Sequence, residues 1–136
     1  MTDRRAARAL ALQSLCQLEV QGDRFLAELD GFLADENASD TVREDARRLA
    51  HAAWSGRDQA DDRIRRAAEH WDLARMSLVD RNILRVAVCE LLTRPDVPPA
   101  VVINEAVEIA RQFGSADSPA FVNGVLDAAY RQLKQA

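Results

Sequence analysis

The chain has 136 residues, a formal net charge of −4, five glycines, four prolines and two cysteines. That length suits one domain, or two small subdomains sharing a core, and is enough to fold without staples. The acidic balance speaks against nonspecific nucleic-acid binding by the whole surface. The N-terminus, MTDRRAARAL, has no apolar leader core, and no stretch approaches ~18 uninterrupted apolar residues. A soluble cytoplasmic protein without a membrane span is expected.

In chain order, helix one is predicted from Asp3 to about Gln21, with Thr2 or Asp3 as cap. Ala7, Ala11, Leu15 and Leu18 line one face, and Leu12 widens it. Arg4, Arg5 and Arg8 occupy the first two turns, where cations oppose the positive end of the helix dipole. An external anion would relieve that repulsion; a solvated polar end is the alternative. Gly22-Asp23 ends this helix, and Phe25, Leu26, Leu29, Phe32 and Leu33 mark a second, which fades into the polar loop Asp35 to Ser39. Thr41 with Glu44 makes a capping-box pattern. Val42, Ala46, Leu49, Ala53, Ala60, Ile64, Ala67 and Trp71 then keep helical spacing, with Gly56 on the same stripe. Helix three is predicted to reach about Ala60 and to bend near Asp61-Asp62, with a short helix four to about Glu69.

Trp71-Asp72 opens a second connection, and Ser77 with Asp80 forms another cap pair. Val79, Ile83, Leu84, Ala87, Val88, Leu91 and Leu92 make helix five the most apolar, and Pro95 ends it. Pro98 and Pro99 suit the first turn of helix six, whose apolar face is Ile103, Ala106, Val107, Ala110 and Phe113. Gly114 stands where a left-handed residue commonly closes a helix. Asp117 or Ser118 can cap helix seven, Pro119 fits its first turn, and Val122, Val125, Leu126, Ala129 and Leu133 form its buried stripe. Phe121 lies off the centre of that stripe, with Phe113 across the turn. The two rings are either core or a platform for a partner. The fold class is therefore all-α, about seven helices in two small packed subdomains, residues 1–71 and 72–136.

Catalytic groups do not converge in this sequence. It has no glycine-rich phosphate loop, no nucleophile elbow and no Cys–His pairing. Asp61 and Asp62 point in different directions on a helix, and Glu90 and Glu105, inside apolar runs, read as hydrogen-bonded structural carboxylates. Asn104 and Asn123 read as partners of backbone groups at helix ends. Cys16 and Cys89 fall within apolar patterns and read as reduced, buried thiols. His51 and His70 stand apart without metal-ligand spacing, so neither metal nor cofactor is expected. Positive charge is nearly all arginine, with Lys134 the sole lysine. Arginine suits bidentate phosphate contacts, although a codon preference gives the same count. The chain reads as a binding protein, not an enzyme.

Three blocks carry a family resemblance: VPPAVVINEAVEIARQFGSADSPAFVNGVLD, the preceding DRNILRVAVCELL, and RRAARALALQSLCQLE at the N-terminus. Together they resemble the NusB family of transcription antitermination factors, over nearly the whole chain and in the family's order. The likeness is weaker from about Arg24 to Ala68. It implies an all-helical protein that binds the boxA element of nascent RNA together with the small-subunit ribosomal protein NusE. It also implies a place in the antitermination complex of RNA polymerase on ribosomal RNA. On matching positions Arg4, Arg5 and Arg8 are implied to hold RNA phosphates, and Phe113, Asp117 and Phe121 to form the RNA-side turn. Asp80 and Cys16 fall on the implied ribosomal-protein surface, where the family often has tyrosine in place of Cys16. Three phosphate contacts on a single strand give a salt slope of about −2, which suits RNA binding shared with a basic partner. Two competing expectations are the RNA-binding region of a ribosomal RNA cytosine methyltransferase, and a helical adaptor or homodimer without RNA binding. The former would need a cofactor-binding Rossmann domain that this sequence lacks.

Overall fold

Two apolar clusters organise the helices of the computed structural model, which describes residues 3–135. The elements are α1 (Asp3–Gln21), a 3-10 segment Asp23–Ala27, α2 (Leu29–Ala34), α3 (Asp40–Ser55), α4 (Arg57–Ala67), a 3-10 turn Leu73–Arg75, α5 (Leu78–Thr93), α6 (Pro99–Phe113) and α7 (Ser118–Gln135). Among the described residues there are seven α-helices and no strand, as expected for an all-α chain. No described helix is long and apolar enough to cross a membrane.

The first cluster is built by α1, the 3-10 segment, α2 and α3, through Leu15, Leu18, Phe25, Leu29, Leu33 and Leu49. The second joins α4 to α7, through Ile64, Leu84, Val88, Val102, Val122 and Leu126. α1 and α5 form the seam. Leu12 of α1 enters the second cluster, while Val86 and Cys89 of α5 enter the first. α4 packs into the second cluster, through Ala60 and Ile64.

Several local expectations are corrected. Helix three ends at Ser55, and Asp61 and Asp62 lie inside α4 instead of at a bend. Glycine has the lowest helix propensity after proline, so the break falls at Gly56. Its N–H donates to the Ala52 carbonyl at 3.0 Å, and a Cβ there would stand 3.2 Å from the same oxygen. The cap of α3 is Ser39, whose extended backbone lets its hydroxyl accept from the Val42 N–H at 3.2 Å; Thr41 lies in the first turn. Thr2, one of the two cap candidates for α1, lies outside the described residues. At the far end of α1, Gly22 takes φ 83° and turns the chain into the 3-10 segment. Ser77 caps α5 as expected, accepting from the Asp80 N–H at 3.0 Å. Trp71 falls beyond the end of α4, so the stripe that carried it inward stops short, and it is 60% exposed.

Candidate nucleic-acid interface

The first turns of α1 carry the three arginines, and the fold gives each a different setting. Arg4 is exposed at the mouth of an open cleft lined also by Asp40, Glu44, Asp45 and Arg94. Arg5 reaches α6, where its Nε and Nη2 donate to the Glu105 carboxylate at 2.6 and 3.1 Å. That guanidinium holds the Glu105 carboxyl below the usual carboxylate range. Arg8 is only 4% exposed, and its Nε and Nη2 donate to the Glu90 carboxylate of α5 at 2.8 and 3.0 Å. Glu90, at 1% exposure, is also buried. The three arginines are expected from the sequence to meet an external anion or a solvated end, and the fold supplies internal anions to two of them. Two are paired with carboxylates from other helices, and as placed Arg8 is enclosed within the fold. Glu90 and Glu105 are the hydrogen-bonded structural carboxylates that their apolar surroundings predict.

The α6–α7 turn is set by a close approach. Gly114 has φ −94° and ψ −170°, extended and not left-handed. Glycine is needed there for space: a Cβ would stand 2.5 Å from the Ser118 Oγ and 2.6 Å from its Cβ. Ser118 is buried, accepts from the Ser115 N–H at 3.0 Å and donates its own N–H to the Ser115 carbonyl at 3.1 Å. This braced turn leaves Asp117 exposed at its tip and sets Phe113 and Phe121, both half-buried, against the second cluster. Each ring is therefore part packing and part surface. Arg5 meets α6 at Glu105, and Phe113 lies eight residues further along the same helix, about 12 Å at 1.5 Å per residue. The basic end of α1 and the aromatic turn are thus two stations along α6, not one cluster.

Cys16 and Asp80 flank the α1–α5 seam. Burial, and after it the neighbouring Glu19 carboxylate, pushes the Cys16 thiol up to about 11, so it stays a neutral, inert thiol. Both cysteines are free. Asp80, in the first turn of α5, has an enclosed Oδ1. Between these residues runs a polar network that joins the two clusters. Arg81 Nε donates to Glu19 at 2.8 Å, and Arg85 donates through Nε and Nη2 to Asp61 at 2.7 and 2.9 Å. Arg85 also reaches Glu19 through Nη1, and Asn82 through its Oδ1 at 3.1 Å. Hydrogen bonding from Arg81 holds Glu19 below the usual carboxylate range, with Arg85 adding to it against the cost of burial. Asp61 is therefore a buried ion-pair partner. Asn104 and Asn123, read as helix-end partners, are exposed in the interiors of α6 and α7. Trp71, expected on a buried stripe, instead packs its ring edge-on to Phe121 with centroids 5.2 Å apart.

The model of the NusB family matches residues 5–131. The transcription antitermination protein NusB of Desulforapulum autotrophicum is 44% identical over 134 residues, 93% of this chain and 90% of that protein. Its namesake from Symbiobacterium thermophilum is 42% identical, covering 98% of this chain and 92% of that protein. Among solved structures, T. maritima NusB superposes with a TM-score of 0.83 at 39% identity, over 97% of this chain and 93% of that one. NusB in a complex of the antitermination factors NusB and NusE with double-stranded RNA gives a TM-score of 0.81 at 26% identity, over 97% and 98% of the two chains. The family match spans nearly the whole chain, the fold is shared, and the chain belongs to the NusB family.

Proposed function

We propose that this protein is a transcription antitermination factor that binds boxA-type RNA jointly with the small-subunit ribosomal protein NusE. It acts in the cytoplasm, as a binding subunit without catalysis of its own. The observation that carries this reading is the near full-length likeness, in sequence and fold, to NusB as solved with NusE and RNA. Arg4 and Arg5 are assigned to RNA phosphates, and Phe113, Asp117 and Phe121 to the bases beyond them along α6. Arg8 is assigned to the fold: its pairing with Glu90 ties α1 to α5 and so sets the angle at which Arg4 and Arg5 leave the surface. Cys16 and Asp80 are assigned to the ribosomal-protein face, where an acidic body suits a basic partner. Two phosphate contacts on a single strand give a salt slope of about −1.4, too shallow for tight unaided binding.

The test is binding of a single-stranded boxA-type RNA, followed by fluorescence anisotropy, to this protein, to the ribosomal protein and to both. The ternary mixture is expected to bind more tightly than either protein alone. Phe121→Ala is expected to weaken RNA binding by about 1–3 kcal/mol, the usual cost of removing a stacking ring. Its folding cost should stay below the ~3–5 kcal/mol of a fully buried phenylalanine, since Phe121 is only half-buried. A denaturant midpoint that falls by the full core amount, with RNA affinity unchanged, would return Phe121 to the core. No RNA binding by any mixture would leave a helical adaptor as the better account.

A further inference from the structure

Trp71 is the largest exposed apolar side chain among the described residues, at 60% exposure. A lone exposed apolar side chain needs no explanation, but Trp71 stands against a second ring, Phe121, beside an open depression, and it is that contiguous ring-lined surface that is informative. The backbone on both sides of Trp71 is fixed. Its N–H donates to the Ala68 carbonyl at 3.0 Å, and the next residue, Asp72, caps the following 3-10 turn by accepting from the Ala74 N–H at 3.0 Å. The indole meets the Phe121 ring at an interplanar angle of 70°, so the two rings form a corner. Beside that corner lies an open depression of about 310 Å³, lined by Ala67, His70, Ala120 and Gly124, with Glu69 also on it. A Cβ on Gly124 would meet nothing within 4 Å, so that side of the depression is open.

We propose that Trp71 and Phe121 together form a stacking site for one unpaired nucleobase of the bound RNA, which extends the RNA surface from the α6–α7 turn onto the α4–α5 connection. This rests on the RNA-binding reading above and goes beyond it by naming a residue on a different element. Three observations select a base as the occupant. The corner is continuous with the proposed RNA surface, because Phe121 belongs to both. Its apolar part is a ring pair and a few small side chains, whereas a docking helix needs a stripe of anchors at several successive turns. Glu69, a carboxylate on the depression, disfavours a phosphate there but can accept from an exocyclic amino group of a base. Stacking on an aromatic face is tolerant of sequence because every base has a π-face.

The site has its own fluorophore. The second tryptophan, Trp54, is buried and donates its indole N–H to Asp23 at 2.7 Å, so Trp54→Phe leaves Trp71 as the sole indole. On adding single-stranded boxA-type RNA, Trp71 emission is expected to be quenched, and an abasic nucleotide at one position of that RNA is expected to abolish the quench. Trp71→Ala, in the otherwise unaltered chain, should weaken RNA binding about tenfold, in line with the loss of one stacked base. It should leave the salt slope unchanged, because no phosphate contact is lost. Trp71→Ala and the abasic RNA should cost no more together than either alone, which a shared contact requires. RNA binding by the wild type with Trp71 emission and Trp71→Ala affinity both unchanged would overturn this site alone and leave the functional reading standing. Loss of ribosomal-protein binding with RNA affinity intact would assign the corner to protein and also overturn it. Absence of RNA binding by the wild type, with or without the ribosomal protein, would overturn both. If Trp71→Ala impairs folding, the quench and its abasic control on the intact Trp71 ring still decide.

Discussion

Glu90→Leu is expected to lower the unfolding free energy by about 3–5 kcal/mol, because it leaves the Arg8 guanidinium charged, enclosed and without its partner. Arg8 is held by two hydrogen bonds to Glu90 and is 4% exposed, so water cannot take over the carboxylate's role without opening the α1–α5 seam. The expected remedy is informative. Adding Arg8→Met to Glu90→Leu should restore most of the lost stability, since a buried pair replaced by apolar residues of similar volume is often neutral or stabilising. A denaturant series on the two single variants and the double variant measures the coupling directly. The same double variant separates two roles for Arg8. If Arg8 serves the fold, the Arg8→Met/Glu90→Leu protein keeps its RNA affinity and salt slope. If Arg8 holds a phosphate, the slope becomes shallower by about 0.7.

The second large effect is expected from Arg85→Ala, again about 3–5 kcal/mol. Arg85 is the hub of the polar network and bridges Asp61 of α4 to Glu19 of α1. Removing it leaves Asp61, only 7% exposed, as an unpaired buried carboxylate, while Glu19 keeps Arg81. Arg85→Lys should recover only a minor part, because an ammonium cannot reproduce a planar fork that engages Asp61 with two N–H groups and Glu19 with a third. Thermal or urea unfolding checks the ranking wild type, then lysine, then alanine. The network also sets an acid limit. Arg81 first, and Arg85 with it, hold the Glu19 carboxyl below its ordinary value. Its contribution is therefore fully present above the unfolded-state value of about 4.3 and is lost as pH falls toward the folded-state value.

The helices were legible in the sequence wherever an apolar period coincided with a cap or a breaker. α1 runs from Asp3 to Gln21 as its stripe and Gly22 indicate, and Ser77 and Pro99 begin the later helices where their chemistry suggests, while Gly114 follows α6 as expected but in an extended, not a left-handed, conformation. The α3–α4 break was misplaced for a specific reason. The stripe Val42, Ala46, Leu49, Ala53, Ala60 and Ile64 keeps its period across Gly56, so periodicity alone reads one long helix. The site was legible in part. The positions of Arg4, Arg5 and Asp117 near a surface follow from helical spacing and turn residues. The pairing of Arg8 with Glu90 joins residues 82 apart in the chain, which no local pattern contains. A signal for it did exist. Arg8 precedes Leu12 and Leu15 on the buried side of α1, and Glu90 interrupts the run VAVCELL; opposite charges that each sit in an apolar stripe must neutralise one another. Arg85 and Asp61 carry the same signature in α5 and α4. Trp71 misled because its spacing continued a stripe past the helix that supports it.

The central claim is that Arg4, exposed, and Arg5, half-buried beside Glu105, hold RNA phosphates while a basic protein partner shares the load. The measurement that tests it most directly is the salt dependence of boxA-type RNA binding in the presence of the ribosomal protein, for the wild type and for Arg4→Ala plus Arg5→Ala. The account predicts weaker binding by the double variant and a slope shallower by about 1.4, with the fold intact by circular dichroism. Equal affinity and equal slope for the two proteins would contradict it.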